Sequence, residues 1–495
     1  MGILFVVTGL LLIVYLNPPP YEPRERDYVF VGSFQVFCTW IGFGVLFLFD
    51  FFSKYLNARY SLISAGLISI IGSPVLLGTQ NWDDHDRSGR YMSTDFAKNY
   101  LSSCAPNSIL FTNGDNDTYP LWFLQNVEKF RTDVRVVNLS LLNAADYVES
   151  LRRKQYDSEP FKLTFEQSQI QTGKRDVVYY KPNPQIASPD QAYDLKEVMQ
   201  FVANDEDSRA KIAMGGDREL VSYLPTKKFR IKVNKEEVIK NKIVAQEDLG
   251  KVVDEMVFEL PTDNVSRSTL ILLDIIANNI WDRPVYFTTT TGSDTYIGMQ
   301  DYFELAGLTY KVVPIYSPAT EDEARRRYYG HINSTVSFKL LTQEFKWGGM
   351  NEKNMWVDDK MRMVPNVTRE TFNKIALKFV AEGKNKEAVS LLQFAEKSMP
   401  DHNLPFDGRM LEYAETYYAA GAKKEAQELM TVITNRSFDM LAYLNQYKST
   451  SRKAYVKQDV DQYLNYIQYA AYVANKNKDT EMAEKLQSRL QQVMR

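Results

Sequence analysis

Apolar side chains are distributed very unevenly along this chain. Ile3–Leu16 carries no charge but is only fourteen residues long. Val29–Phe49 runs for twenty-one residues without a charge and Tyr60–Gly78 for nineteen. A helix rises about 1.5 Å per residue and needs roughly 20 residues to cross a hydrocarbon layer of about 30 Å. The second and third stretches meet that requirement and are predicted to be transmembrane helices. The first is short, and a cleaved signal peptide is its rival reading. No basic residue precedes it, however, and Asn17-Pro18-Pro19-Pro20 is not a small-residue cleavage site. We read it as a third membrane helix that begins abruptly, as a chain truncated at its N-terminus would.

Beyond Gln80 the pattern changes to that of a water-soluble α/β region. Gly89–Cys104 suits a helix, Ser108–Thr112 a buried strand, Tyr119–Phe130 a helix and Val134–Leu139 a second strand. The order recurs later: helix over Ser268–Trp281, strand over Val285–Thr289, short helix over Met299–Leu305, strand over Tyr310–Ile315. Phe111-Thr112 precedes Asp117-Thr118-Tyr119, and Phe287-Thr288 precedes Asp294-Thr295-Tyr296. Two Rossmann-like βαβ units in one parallel sheet are expected, with duplication and chance both open as the origin of the shared letters. Between them, strand-like runs such as Phe229–Val233 and Met256–Leu260 carry no assignable order.

From Asn366 the pattern is helical. Ala376, Gly383 and Ala388 recur thirty-eight residues later as Ala414, Gly421 and Ala426, and a looser unit from Tyr463 has Ala470 and Ala483 in matching roles. Small residues where helices cross, with Gly at the turn, suit stacked tetratricopeptide-like repeats. Such repeats bind or brace protein surfaces, and an inert cap is the plainer alternative. The expected fold is thus a membrane α-helical segment (1–79), an extracytoplasmic α/β domain (80–340) and an all-α repeat domain (366–495).

Charge sharpens this division. The chain is 24% charged overall, yet residues 1–79 hold only four basic residues, Arg24, Arg26, Lys54 and Arg59. The link Phe51–Arg59 carries Lys54 and Arg59 and suits a cytoplasmic loop, although the loop Asn17–Tyr28 has two arginines as well. With the short link inside, loop 17–28 and everything after residue 79 lie outside. That predicts a multi-pass cell-membrane protein with a periplasmic C-terminal region. A net charge of −3 without basic runs excludes nucleic acid as a partner. Cys38 lies in an apolar span and Cys104 in the soluble part, so no disulfide between them is expected.

Four polar clusters are candidates for chemistry. Pro23-Arg24-Glu25-Arg26-Asp27-Tyr28 lies at the mouth of two membrane spans. Arginine forks bind phosphate oxygens bidentately, so it suits a lipid phosphate; an anchoring loop with self-paired charges is equally open. Asp83, Asp84, His85 and Asp86 offer donors for a divalent metal, but no coordination set is fixed, and acids at a helix start explain them as well. Asp115 and Asp117 follow a strand, where open α/β sheets bind ligands, yet Asn, Gly and Asp are also ordinary turn residues. Gly215-Gly216-Asp217 is a lone glycine turn. No Walker loop, GxGxxG, HExxH, GxSxG or zinc-type cysteine pattern occurs, and no cofactor is assigned.

Four runs, three of them overlapping these clusters, together carry a family resemblance: Tyr21–Tyr28 before a span, Asn81–Ser88, Phe111–Thr118 and Arg135–Ser140. The chain resembles the C-terminal half of the multispanning membrane glycosyltransferases of family 117, common in Bacteroidota and similar to a human transmembrane O-mannosyltransferase of plexin-type domains. The resemblance implies a GT-C-type enzyme moving sugar from a polyprenyl-phosphate donor to an extracytoplasmic acceptor, a protein, with membrane lipid around its spans. Such enzymes hold a catalytic carboxylate in an early extracytoplasmic loop. No matching segment occurs in these residues, so no catalytic residue is carried over and this chain alone is expected to be inactive. A non-enzymatic membrane scaffold that binds partners through its helical repeats is the alternative.

Overall fold

The computed structural model describes residues 1–17, 27–86, 88–214, 219–352, 355, 357, 361–447 and 450–494. Contacts divide the chain into two units, Met1–Ser88 with Trp356–Met361, and Gly89–Met355 with Arg362–Arg495.

In the first unit, Asp27–Ser53 and Ala58–Trp82 are helices of 27 and 25 residues with a mean hydropathy of 1.8. Both run past the ends of the uncharged stretches that predict them. A core helix of a soluble protein would bury its apolar residues, but only 6% of either apolar window is buried. Phe47 is 69% exposed and Leu62 63%. Lipid is the surrounding that makes such surfaces favourable. Pro74 has no N–H to donate, and the second helix accommodates it in a π-turn over Ile71–Val75.

The N-terminal stretch forms two short helices, Gly2–Thr8 and Leu10–Leu16, which meet at Gly9. The first packs on the helix Val31–Ser53 through small residues. A Cβ at Gly9 would fall 2.8 Å from Ser33 Oγ, and one at Gly32 would fall 3.2 Å from Thr8 Cβ. Close approach through Gly, Ser and Thr is how helices associate in lipid, where the hydrophobic effect offers nothing. Phe5 and Trp40 extend this contact, with ring centroids 5.1 Å apart.

Among the described residues the second unit holds thirteen strands. In chain order they are β1 (Ile109–Thr112), β2 (Arg135–Asn138), β3 (Val177–Tyr180), β4 (Tyr193–Asp194), β5 (Lys211–Met214), β6 (Glu219–Leu224) and β7 (Lys228–Lys232). There follow β8 (Glu255–Glu259), β9 (Asn264–Ser266), β10 (Val285–Thr288), β11 (Phe303–Ala306), β12 (Thr309–Val312) and β13 (His331–Ile332). The main sheet has the order β13-β11-β12-β10-β1-β2. β1 lies parallel to both β2 and β10, and the helix Asp115–Phe123, which begins and ends earlier than the expected Tyr119–Phe130, joins β1 to β2 in a βαβ connection.

The second unit of that kind is not formed. Met299–Leu305, expected as a helix, is a 3-10 turn over Gln300–Tyr302 followed by β11, which pairs antiparallel with β12. The cause is local. A short run without a clear period reads the same for helix and strand, and Gly307, with φ +63°, closes a two-residue turn that folds it into a hairpin. β12 in turn runs antiparallel to β10, so the sheet is mixed rather than parallel. Phe111 and Phe287 of the matching letters are register neighbours. Asp117 opens a helix, however, whereas Asp294 sits in an isolated 3-10 turn. The middle of the chain forms two further sheets, β5-β6-β3-β9 and β4-β7-β8.

Among the described residues the C-terminal region holds three helix pairs: Met363–Ala381 with Asn385–Ser398, Leu411–Ala419 with Lys423–Leu444, and Thr450–Lys476 with Thr480–Met494. Their turns share one geometry. Lys384 N donates to Phe379 O, Ala422 N to Tyr417 O and Asp479 N to Ala474 O, all at 2.8–2.9 Å. Gly383, Gly421 and Lys478 take the left-handed position. Ala376, Ala388, Ala414, Ala426, Ala470 and Ala483 are all buried where the helices meet. Trp347 links these helices to the α/β region, with its ring 6.1 Å from Phe96, 5.3 Å from Phe372 and 6.3 Å from Phe394.

Candidate functional site at the carboxyl ends of β1 and β10

β1 lies between β2 and β10, and all three run in the same direction. Their carboxyl ends, Thr112, Asn138 and Thr288, therefore lie side by side. In open α/β sheets this edge is where chain direction leaves room for ligands. The helix Asp115–Phe123 begins two residues beyond β1, and Gly114 at φ +78° makes the sharp entry possible.

Hydroxyls and amides lock this corner. Thr118 Oγ1 lies 2.7 Å from Thr112 Oγ1, donates to Gly114 O at 2.7 Å and accepts from Asn138 Nδ2 at 3.0 Å. Ser140 Oγ donates to Asn113 Oδ1 at 2.9 Å. Across the sheet, Thr290 Oγ1 donates to Asp117 Oδ2 at 2.6 Å and lies 3.1 Å from Thr288 Oγ1. Asp117 thus ties the helix after β1 to the loop after β10.

The two carboxylates have separate roles. Asp117 is buried, and burial pushes its pKa above the usual carboxylate range, against the stabilising Thr290 and Thr288 hydroxyls and the Asn113 backbone. Tyr100, fully buried nearby, is pushed up by burial and then by the Asp117 charge. Asp115 is exposed, and its charge raises the pKa of neighbouring Tyr119. Tyr119 stacks on Trp122 with centroids 5.6 Å apart and planes 25° apart, and Trp122 lies 6.4 Å from Tyr147. Phe123 on the same helix is 49% exposed. An exposed carboxylate beside stacked aromatic faces can accept hydroxyl protons while offering rings to apolar C–H faces. Such an arrangement is suited to binding and orienting a ligand.

The other expected site residues lie elsewhere. Arg24, Glu25 and Arg26 fall outside the described residues, and Asp27 is exposed at the start of a 3-10 turn over Asp27–Phe30. Asp83, Asp84 and His85 occupy the last turn of the helix Leu76–His85, not a helix start. Asp86 is exposed and accepts from Ser88 N at 2.8 Å. Gly215, Gly216 and Asp217 lie outside the described residues.

Thr288, Thr290, Thr118 and Asn138 escape a reading based on charged clusters. Their signal is the run Thr288-Thr289-Thr290-Thr291 after Phe287, in the position that Thr112 occupies after Phe111. The aromatic trio Tyr119, Trp122 and Phe123 is likewise visible only once the helix places it beside Asp115.

Residues 93–335 match the family model of TMEM260-associated domain 2. Nothing among curated proteins or solved structures matches the chain. The matched span contains the whole carboxyl-end site, from Thr112 to Thr290. The protein is thus similar to TMEM260-type membrane proteins: two helices long and apolar enough to cross a membrane precede a TMEM260-associated domain 2 segment.

Proposed function

We propose that this chain is the membrane-anchored C-terminal portion of a GT-C-type glycosyltransferase that moves a sugar from a polyprenyl-phosphate donor to an extracytoplasmic protein. The observation that carries this reading is the TMEM260-associated domain 2 match over residues 93–335, directly after two apolar helices. The resemblance to family 117 at Tyr21–Tyr28 and Asn81–Ser88, outside that span, and at Phe111–Thr118 and Arg135–Ser140, within it, supports the same reading.

In this reading Arg24 and Arg26 hold the donor phosphate. Near the membrane surface the local dielectric is lower than in water, which strengthens a charge-assisted hydrogen bond. The acceptor rests on Asp115 and the Tyr119–Trp122–Phe123 face. The C-terminal helix pairs, stacked in tetratricopeptide-like fashion, brace the same partner. No residue is assigned the catalytic carboxylate.

The test uses the full chain in lipid nanodiscs with a photoreactive polyprenyl phosphate. Cross-linking should exceed that of the matching polyprenol without phosphate, and Arg24→Lys and Arg26→Lys should each weaken it several-fold, since Lys keeps charge but loses the fork. Equal labelling by both lipids would leave the scaffold reading in its place.

A further inference from the structure

A separate set of polar side chains lies on the antiparallel part of the main sheet, away from the β1 and β10 ends. Glu304 of β11 is the register neighbour of His331 in β13 and of Lys311 in β12. Register neighbours point to the same face, so His331, Glu304 and Lys311 form one row across three strands. Gly330 makes the β13 approach possible. It sits at φ +63°, and a Cβ there would fall 2.1 Å from Phe303 O.

A 3-10 turn over Gln246–Lys251 brings Asp248 to this row. The turn is fixed from below, because Leu249 packs with Val252 and Trp281 on a core of Val238, Ile243, Val244, Val313 and Ile315. One donor atom from each of Asp248, Glu304 and His331 lies within 4.8 Å of the other two.

Glu304 is the residue that needs explaining. It is only 5% exposed, its Oε2 has no hydrogen-bond partner, and no ion pair reaches its carboxylate among the described residues. Lys311, its cross-strand neighbour, directs Nζ to Lys242 O at 3.2 Å instead. A buried carboxylate oxygen without a partner is costly unless something positive or protonated meets it. The imidazole of His331 and the carboxylate of Asp248 share the space it faces.

We infer that Asp248, Glu304 and His331 form a site for a divalent transition-metal ion of the zinc class, which ties the 246–251 turn and β13 to the central sheet. Two carboxylates and an imidazole are the donor set such ions take, at about 2.0–2.2 Å, whereas magnesium and calcium favour oxygen alone. Three protein donors leave a further position for water. Binding requires the donors to draw together by roughly an ångström, since ligands at such bond lengths stand about 3–3.5 Å apart. His331 is partly exposed and can move. The ion also displaces Lys251 Nζ, which sits 2.6 Å from Asp248 Oδ1 on a side chain that is 60% exposed. An exposed ammonium gives way at little cost.

The test is titration of the detergent-solubilised full chain, stripped with EDTA, by Zn2+ and by Co2+ as a spectroscopic probe. One equivalent per chain should bind, Co2+ should give a visible ligand-field band, and Ca2+ at the same concentration should not compete. Glu304→Gln and His331→Gln should each weaken Zn2+ binding by about tenfold or more, as even outer partners of metal ligands matter that much. Lys251→Ala lies on the surface and leaves the fold intact; it should strengthen binding several-fold by removing the competing cation. Absence of saturable binding by the unmodified chain would overturn the site. So would an affinity unchanged in both His331→Gln and Lys251→Ala, because the ion would then be held elsewhere, at His85 or His402.

Discussion

Asp117 shows how burial and hydroxyl donors divide the work of one carboxylate. Thr290 Oγ1 donates to it at 2.6 Å, and Asp117→Ala removes that acceptor from a nearly water-free corner. The expected loss is about 1–3 kcal/mol, measured by unfolding of the detergent-solubilised chain. Thr290→Val should cost a similar amount, whereas Asp117→Asn keeps an acceptor, removes a desolvated charge and should change stability little. Lys374 presents the opposite charge in the same predicament. Its Nζ donates to Arg327 O at 2.7 Å and to Tyr310 Oη at 3.1 Å. Burial lowers its pKa to about 8, against the Glu370, Tyr329 and Glu412 charges, with Arg327 adding to the depression. The unfolded chain, near 10.5, therefore binds more protons between about pH 8 and 10.5, and stability rises with pH across that window. Below pH 8 the charged ammonium is carried inside at full cost. Lys374→Met should lie furthest above the unmodified chain near pH 7, and the gap should narrow as pH climbs past 8. A gap constant from pH 7 to 10.5 would mean that Lys374 does not titrate in this way.

The helix pairs turn on backbone conformation more than on contacts. Gly383 and Gly421 hold φ near +74° and +81°, and an added Cβ would meet nothing within 4 Å at either. Gly383→Ala and Gly421→Ala should therefore each cost only the left-handed penalty, about 1 kcal/mol. The third turn already bears that penalty, because Lys478 sits there at φ +59°. Lys478→Gly should raise the melting temperature; a lowered one would show that its side chain contributes more than the backbone loses. These turns were legible in the sequence because alanine at the crossing and glycine at the corner are local signals. Uncharged runs long enough to span lipid were legible for the same reason. The sheet was not, since pairing of β3 with β6 and β9 is decided by residues some forty to ninety positions apart, which no short pattern records. β11 looked helical because four buried residues in a row carry no period. The Asp117 corner escaped because its partners, Thr290 and Asn138, are neutral residues brought in from other strands.

At the scale of the molecule, the two long apolar helices form a hairpin whose connection fixes relative orientation. Val31–Ser53 and Ala58–Ile70 are joined by only Lys54–Asn57, and Asn57 caps the second helix by accepting from Tyr60 N at 3.1 Å. So short a link makes the two helices antiparallel when both span, and residues 27 and 82 then emerge on one side. Lys54 and Arg59 flank the four-residue link, whereas the arginines beyond the other ends of the two helices, Arg24, Arg26 and Arg87, alternate in sequence with Glu25, Asp27 and Asp86. Basic residues near short loops stay on the cytoplasmic side, and acidic ones count for little. The link is therefore expected inside, with the unit beginning at Gly89 outside, where a lipid-linked donor and a secreted acceptor would meet it. A cysteine at each location checks this in cells, in a background where Cys38 and Cys104 are replaced. Tyr55 lies in the link and is 74% exposed, and the Glu428 side chain on the C-terminal helices is 66% exposed. A membrane-impermeant maleimide should label Glu428→Cys in intact cells and reach Tyr55→Cys only after lysis. The reverse pattern would place the TMEM260-like segment in the cytoplasm, and a donor that presents its sugar outside could then not be its substrate.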